Sequence, residues 1–280
     1  MKISGFTIVR NAVKYNYPAV ESILSILPLC DEFIVNVGDS DDETLDLIRA
    51  VADPKIRIVQ NTWDFSQGKE VLSHQTNLAL KQCRGDWAFY LQSDEVIHEN
   101  DLPRLRAVMR RYAADKTVDA LRFSWLHFYG SYHRYRVDAG WYQKQDRVIR
   151  NNGEIESFGD AFGFKRKDDR PLTRKHTGCL LYHYGWVQPQ DVMTTRRVNA
   201  EKIGFVSLND NERSGAYSYG DLNRFEPYFG SHPAVMAQRV ASHALSGADW
   251  RDMTRRFWWH PMRWTKARYK TSFRRKERIA

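Results

Sequence analysis

Two clusters of acidic and polar side chains directly follow strands that the sequence predicts. Asp39 lies in the run Gly-Asp-Ser-Asp-Asp after the second strand, and Asp94 lies in Gln-Ser-Asp-Glu after the fourth. Ligands of an open parallel sheet bind beyond the carboxyl ends of its strands, so we expect the two clusters at one edge. Carboxylates gathered there suit a hard divalent cation, Mg²⁺ or Mn²⁺, that also binds the phosphates of a substrate. Asp41, Asp42 and Glu43 have a simpler explanation, because acidic residues favour the first turn of a helix.

Hydrophobic periodicity predicts alternating strands and helices in the first part of the chain. The predicted strands are 3–9, 33–37, 56–60 and 87–91. The predicted helices are 17–29, one that opens with a capping box of Ser40 and Glu43, 68–83 and 101–114. This alternation, with an apolar fourth strand, predicts an α/β fold with an open, mostly parallel sheet and flanking helices.

The pattern changes after residue 118, where strand-like runs are separated by loops rich in Gly, Asp, Arg and aromatic residues. The predicted elements here are strands 120–128, 146–150 and 179–184 and a helix 190–203. Aromatic residues between 123 and 142 could form an acceptor pocket, and strand alternation places Phe123, Trp125 and His127 on one face. The alternative is that some of these rings belong to the core.

Two common phosphate-binding signatures are absent from the sequence. There is no GxxxxGK[ST] motif, and no GxGxxG motif follows the first strand. A diphosphate would therefore need to be bound by a metal ion and basic side chains.

An ordered set of segments resembles the family 2 glycosyltransferases of GT-A fold. The segments are the first strand, VNVGDSDDETLDLI, GKEVLSHQTNLALKQCRGDWAFYLQSDEVI and LLYHYGWV, and the likeness covers roughly residues 1–205. It implies a GT-A domain over 1–205, with a nucleotide half 1–117 and an acceptor half 118–205. It also implies inverting transfer of a sugar from a nucleotide-diphosphate sugar to a hydroxyl of a glycan or lipid-linked acceptor, in polysaccharide or lipopolysaccharide biosynthesis.

The resemblance assigns the nucleotide to residues from several parts of the chain. The nucleotide-binding residues it implies are Val9, Arg10, Asn11, Asp39, Lys69, Gln92, Ser93, Arg196 and Arg197. Two motifs depart from the family pattern. Val37 and Gly38 stand where the family usually has Asp, and Gln92 replaces the first Asp of its DxD motif.

The resemblance also implies a site for Mn²⁺ or Mg²⁺. Asp94 matches the last Asp of the DxD motif, and His183 of the His-Tyr-Gly run would complete the metal shell. The alternative for His183 is a structural histidine.

Four carboxylates are candidates for the base that takes the proton of the acceptor hydroxyl: Asp138, Glu154, Glu156 and Asp160. We favour Asp160, because the phenylalanines of SFGDAFGF would raise its pKa by desolvation. Glu156 is the second choice, because related enzymes use a Glu shortly after the strand that DRVIRNN resembles. Either residue could instead belong to a turn.

The net charge of +9 lies at the end of the chain. Residues 251–280 contain eleven basic and two acidic residues. The chain has 43 basic and 34 acidic residues in all, so residues 1–250 contain 32 of each sign. With four tryptophans at 250–264, this segment predicts a helical extension within 206–280 that binds an anionic membrane surface. Nucleic acid would attract the same charges but is disfavoured because the rest of the chain is neutral, and a solvated disordered end is the third reading.

No run of 18 apolar residues and no signal-peptide core is present, so we expect a cytoplasmic protein, peripheral on the inner face of the membrane. Because Gln92 replaces an Asp of the family pattern and Asp39 is shifted from its usual place, a second function of a different class stays open. It is a catalytically weak or inactive GT-A-like binding protein whose basic tail binds nucleic acid or membrane.

Overall fold

Four parallel strands form the first half of the sheet in a computed structural model that describes residues 1–137 and 141–243. They are β1 Ile3–Val9, β2 Glu32–Gly38, β3 Ile56–Asn61 and β4 Trp87–Tyr90. They pair in the order β3, β2, β1, β4. β1 and β4 are buried along their whole length, as expected for strands covered on both faces.

Helices α1 Ala19–Ile26, α2 Thr44–Arg49, α3 Glu70–Leu80 and α4 Leu102–Arg111 follow these strands. The predicted capping box is wrong, because Ser40 Oγ accepts a hydrogen bond from the backbone N–H of Asn11 at 3.0 Å. Asp42 Oδ1 instead accepts from the N–H of Thr44 at 3.0 Å, and α2 begins there without a side-chain cap from Glu43. Ser40 thus connects the loops after β1 and β2.

The side chains of β1 alternate between two cores on opposite faces of the sheet. Ile3 and Val9 join the core beneath α1 and α4. Phe6 and Ile8 join the core beneath α3, which includes Val71. This alternation has period two, so adjacent residues at the end of β1 face different layers.

The second half of the sheet mixes parallel and antiparallel strands. Its strands are β5 Glu95–Ile97, β6 Ala120–Tyr129, β7 Arg134–Arg136, β8 Lys144–Arg150, β9 Ile155–Phe158, β10 Gly163–Arg166 and β11 Arg174–Trp186. β8 lies antiparallel between β4 and β6, and β6 pairs in parallel with β11. β9 and β10 form a separate hairpin. The open α/β architecture with flanking helices is confirmed.

The described part of the predicted C-terminal extension packs against the sheet domain. Its elements, after α5 Gln190–Lys202, are α6 Asp210–Ser214, β12 Glu226–Pro227 and α7 Ala237–Ser242. Short 3₁₀ turns are Leu27–Leu29, Phe65–Gln67, Glu99–Asp101, Leu222–Arg224 and Ala234–Met236. β12 pairs with β7, and Arg239 Nε donates to Glu21 Oε1 at 2.6 Å.

The boundary at 205 stays a prediction, and the basic segment 251–280 lies outside the described residues. No helix in the described ranges is long and apolar enough to cross a bilayer.

Candidate functional site

A cavity of 760 Å³ opens at the carboxyl ends of β1 and β4. Its floor includes Tyr90, Gln92 and Asp94, and α5 lines the facing wall with residues such as Met193 and Arg196. This is the sheet edge at which the sequence predicts the ligand.

Asp94 and His183 meet at the floor of this cavity. β5 pairs antiparallel with β11 so that Glu95 is opposite His183, which places the neighbouring Asp94 beside the imidazole. Asp94 Oδ2 lies 3.3 Å from His183 Nε2, and both side chains are largely buried. Burial raises the pKa of the Asp94 carboxyl, but His183 and Arg196 lower it by more, so the pKa is below its ordinary value. Asp94 is therefore ionised near neutral pH.

Gly185 has no side chain, and the Asp94 carboxylate occupies the space that a side chain there would need. A Cβ at this position would clash with Asp94 Oδ2 and lie 3.0 Å from His183 Nε2. A carboxylate oxygen and an imidazole nitrogen that line the same cavity are suitable donors for Mn²⁺ or Mg²⁺. Within the described ranges no group of three or more His, Cys, Asp or Glu could hold a metal. A cation here would need further oxygen donors, which phosphates and water supply.

His183 also contacts a second imidazole, that of His127 on β6, with 3.0 Å between the two Nδ1 atoms. Burial, with a smaller effect of His183, lowers the pKa of His127 to about 3, so this ring is neutral at neutral pH. Sequence reasoning placed His127 on the face of Trp125 but gave it no function. The contact depends on the parallel register of β6 and β11, in which residue 127 is opposite residue 183.

Arg196, one of the basic residues predicted to bind the nucleotide, lines the cavity near Asp94. Arg196 Nη1 donates to the carbonyl of Gly185 at 2.5 Å, and its guanidinium lies over the rings of Tyr17 and Trp186 at 5.3 and 5.5 Å. These contacts hold the guanidinium at the Gly185 carbonyl, in the cavity that Asp94 also lines.

Arg197 and Lys69, two further basic residues predicted to bind the nucleotide, differ from Arg196. Arg197 lines the cavity, but it donates to the backbone carbonyls of Glu212 and Gly215 and so also holds the α6 segment in place. Lys69 is exposed at the start of α3 and is not part of the cavity wall.

At the end of β1, the cavity wall contains Ile8 and Arg10 rather than the predicted Val9 and Asn11. Val9 is in the core beneath α1 because its side chain has the opposite orientation to that of Ile8. Asn11 is buried with a positive φ of 53°, and its Oδ1 accepts from the N–H of Asp41 at 3.0 Å. Neither residue reaches the cavity, so their assignment as nucleotide-contacting side chains is corrected.

Asp39 lies behind the cavity wall. Its Oδ1 accepts from the backbone N–H of Trp63 at 3.2 Å and lies 3.5 Å from Arg10 Nε. Trp63 and Phe65 line the cavity at this end, and Arg10 lies 4.7 Å from the centre of the Phe65 ring. These two aromatic residues were not predicted, because the helical and strand periodicities carry no signal for the loop after β3.

Gln92 and Ser93, which the resemblance assigns to the nucleotide, both line the cavity. Gln92 Nε2 donates to the carbonyl of Ala161 at 3.3 Å, and Ser93 Oγ donates to the carbonyl of Ile8 at 2.9 Å. The Gln92 amide therefore connects the Asp94 loop with the β9–β10 hairpin.

A buried ion pair supports the Asp94 loop from below. Arg147 donates to Glu95 through Nε at 2.7 Å and Nη2 at 2.8 Å, and both side chains are fully buried. Arg147 Nη1 also donates to the carbonyl of Phe162 at 2.9 Å, and Glu95 accepts from the N–H of Gln92 at 3.0 Å. One arginine thus fixes the loop that carries Asp94 relative to the hairpin that carries Asp160.

Asp160 lines the cavity at the tip of the β9–β10 hairpin and is exposed. Its predicted burial among phenylalanines is wrong, because Phe164 packs in the core beneath α3 while Phe158 and Phe162 contact each other at 4.9 Å. The desolvation argument for Asp160 therefore falls, whereas its position at the cavity remains.

The other candidate carboxylates do not line the cavity. Glu156 lies 3.6 Å from Lys165 Nζ, and Glu154 binds Arg166 at 2.5 Å. Asp138 lies outside the described residues. Of the predicted acceptor-side aromatics, Trp141 packs on the cavity residue Trp186 at 5.3 Å.

Comparisons with known proteins point to one family. A model of the family described as Glycosyl transferase family 2 matches residues 5–172. Among solved structures, the chain is similar to TarS of S. aureus, with 16% identity and a TM-score of 0.43 over 76% of this chain. The matched part spans only 41% of TarS. No curated protein matches the chain.

Two further solved structures have similar parts. TarS 1-349 of S. aureus in complex with UDP has 16% identity and a TM-score of 0.44, over 76% of this chain and 68% of that one. Glucosyl-3-phosphoglycerate synthase from Mycobacterium tuberculosis, in complex with Mn²⁺, UDP and phosphoglyceric acid, has 24% identity and a TM-score of 0.32. That match covers 44% of this chain and 43% of the synthase.

Proposed function

Because the chain belongs to glycosyl transferase family 2, whose model matches residues 5–172, we propose that it transfers a sugar from a nucleotide-diphosphate sugar to an acceptor hydroxyl. The observation that carries the proposal is the convergence of Asp94 and His183, 3.3 Å apart, on a cavity that Arg196 also lines. Donors for a divalent cation and a guanidinium for phosphate oxygens then lie side by side.

The chain's own residues would hold the donor in a defined orientation. Asp94 and His183 would bind Mn²⁺ or Mg²⁺, which when bound neutralises the charge of the leaving diphosphate. Arg196 would donate to a phosphate oxygen, since the contacts with Gly185, Tyr17 and Trp186 already orient its guanidinium. Gln92 and Ser93 would contact the nucleoside.

Release of the nucleoside diphosphate tests this function. We expect the full chain with Mn²⁺ to hydrolyse one member of a panel of nucleotide sugars slowly in the absence of acceptor, and the Asp94→Asn variant to lose this reaction. A nucleoside diphosphate that raises the melting temperature without any turnover would favour the alternative, an inactive GT-A-like binding protein. No turnover and no shift with any nucleotide would contradict both.

Asp160 is our proposed base, which would accept the proton of the acceptor hydroxyl as that oxygen attacks the anomeric carbon with inversion. Its support is its position at the cavity, on a hairpin that Arg147 holds through a hydrogen bond to the Phe162 carbonyl.

The substitution Asp160→Asn tests the base, with Glu156→Gln as the matched control on the same hairpin. We expect Asp160→Asn to lower transfer at least about a hundredfold, the usual contribution of a general base, with unchanged nucleotide affinity. Glu156→Gln should transfer normally, because Glu156 pairs with Lys165 away from the cavity. Transfer by Asp160→Asn at the parent rate would rule out this base.

The acceptor and the location belong to the same proposal. We propose a glycan or lipid-linked acceptor in polysaccharide or lipopolysaccharide biosynthesis, and binding of residues 251–280 to the anionic inner face of the cytoplasmic membrane. The support is the sequence, in which eleven basic residues and several tryptophans lie in this segment.

A further inference from the structure

His127 has two hydrogen-bonding contacts, one at each ring nitrogen. Its Nε2 lies 2.7 Å from the backbone carbonyl oxygen of Tyr142, and its Nδ1 lies 3.0 Å from Nδ1 of His183. The ring is 2% exposed, and among the described residues neither nitrogen contacts a carboxylate.

These contacts determine where the protons lie. A carbonyl oxygen only accepts, so His127 carries its proton on Nε2 and donates it to Tyr142. Nδ1 of His127 is then an acceptor, and His183 must donate from its own Nδ1. The remaining nitrogen of His183, Nε2, faces Asp94 Oδ2 at 3.3 Å.

We propose that His127 is a positioning residue that holds the proton of His183 on Nδ1 and so keeps Nε2 available to a divalent cation shared with Asp94. The proposal rests on the proposed function for the presence of that cation. Without an acceptor at His127, His183 could carry its proton on Nε2 and donate it to Asp94. That hydrogen bond would engage both atoms that would bind the cation, His183 Nε2 and Asp94 Oδ2.

Aromatic side chains pack around His127 and His183 and restrict rotation of the two imidazole rings. Trp125 stacks on His183 with 5.3 Å between ring centres and an angle of 11°, and it contacts His127 edge-on at 4.5 Å. Trp141 covers His127 at 4.9 Å. A rotation of either imidazole would have to displace these indoles.

Two amide variants of the full chain separate positioning from packing. In His127→Asn, the side-chain oxygen can replace Nδ1 as the acceptor for His183. In His127→Gln, the longer side chain can still donate to the Tyr142 carbonyl but offers no acceptor at the Nδ1 position. Both replace a buried ring by an amide, so thermal unfolding measures their structural cost.

The first measurement is Mn²⁺ affinity in the presence of uridine diphosphate, followed by electron paramagnetic resonance of free Mn²⁺. We expect His127→Gln to lose about 10- to 100-fold in affinity, the usual effect of removing the hydrogen-bond partner of a ligating histidine, while His127→Asn stays within about threefold of the parent. Equal affinities in the two variants would overturn the proposal.

The second measurement needs neither metal nor donor, so it stays decisive if the proposed function fails. Long-range ¹H–¹⁵N correlation spectra of the histidines in the metal-free chain report which ring nitrogens carry protons. We expect a protonated Nδ1 on His183 in the parent and in His127→Asn, and an unprotonated Nδ1 in His127→Gln. An unprotonated Nδ1 in the parent, or a protonated one in His127→Gln, would refute the assignment.

Discussion

Gly185 illustrates how the identity of a single residue controls the space at the site. The residue lies on β11 between His183 and the end of the strand, and the space over its Cα is bordered by Asp94 and His183. Any other side chain would have to begin where the Asp94 carboxylate lies. The requirement here is for space and not for an unusual backbone angle, since Gly185 is not among the glycines with positive φ.

The substitution Gly185→Ala should therefore impair the site and spare the fold. We expect at least a tenfold loss of Mn²⁺-dependent donor turnover, because the added methyl group displaces the Asp94 carboxylate. Gly163→Ala on β10 is the control, since a Cβ there has its nearest neighbour at an ordinary 3.5 Å. Steady-state kinetics at several Mn²⁺ concentrations would measure the effect, and equal kinetics of the two variants would contradict it.

Single residues also show how far sequence reasoning reaches. It predicted Asp94, His183 and Arg196 for the site, and all three line the cavity. It erred by one position at the end of β1, where Ile8 and not Val9 faces the cavity. The family pattern locates the strand end, but the side that each residue faces follows from the pleat of the strand.

Strand β11 and the segment 226–243 form a third, aromatic core at the edge of the sheet. Tyr184 of β11 and Phe128 of β6 stack at 4.9 Å with an angle of 5°, and His232 packs beside them. The Tyr184 hydroxyl lies 2.8 Å from His232 Nδ1. This core attaches the C-terminal segment directly behind His183.

Acid should weaken this attachment through His232. Burial, with a smaller effect of His133, lowers the pKa of His232 from 6.5 to about 4. Between these values the unfolded chain binds more protons than the folded one, so stability falls as the pH falls from about 6.5 to about 4. Relative to pH 7, this histidine should account for about 2 kcal/mol of the stability lost at pH 5.

Urea unfolding at pH 7 and pH 5 measures that difference. From pH 7 to pH 5, the free energy of unfolding of His232→Phe should decrease by about 2 kcal/mol less than that of the parent, whatever the absolute stability of the variant. The control is His74→Gln on the exposed face of α3, whose free energy of unfolding should decrease as much as that of the parent. The prediction fails if His232→Phe shows the parental difference.

The whole molecule is divided by charge, with residues 251–280 carrying the net +9 and the remaining residues carrying 32 charges of each sign. Each Lys or Arg near an anionic bilayer contributes about 1 kcal/mol to binding. Such a segment would bring the cavity to a lipid-linked acceptor. The free energy comes from charge and therefore decreases with ionic strength.

We expect a variant of the full chain with four tail residues exchanged for Gln to bind anionic vesicles at least tenfold less at low salt. The four residues are Arg274, Arg275, Lys276 and Arg278. The matched control exchanges four exposed basic residues of the sheet domain, Arg49, Lys81, Arg84 and Arg110, and should float like the parent. Vesicle flotation measures both. Parental recovery of the tail variant would remove the support for membrane binding.

Periodicity and strand-end residues were sufficient to predict the α/β architecture and the edge at which Asp94 lies, because both depend on neighbours in the chain. The contact between His127 and His183, 56 residues apart, could not be predicted in this way. It depends on the register of β6 against β11, which is set by the packing of the whole sheet. For the same reason only the folded chain distinguishes Arg196, which faces the floor of the cavity, from Arg197, which binds the backbone of a neighbouring loop.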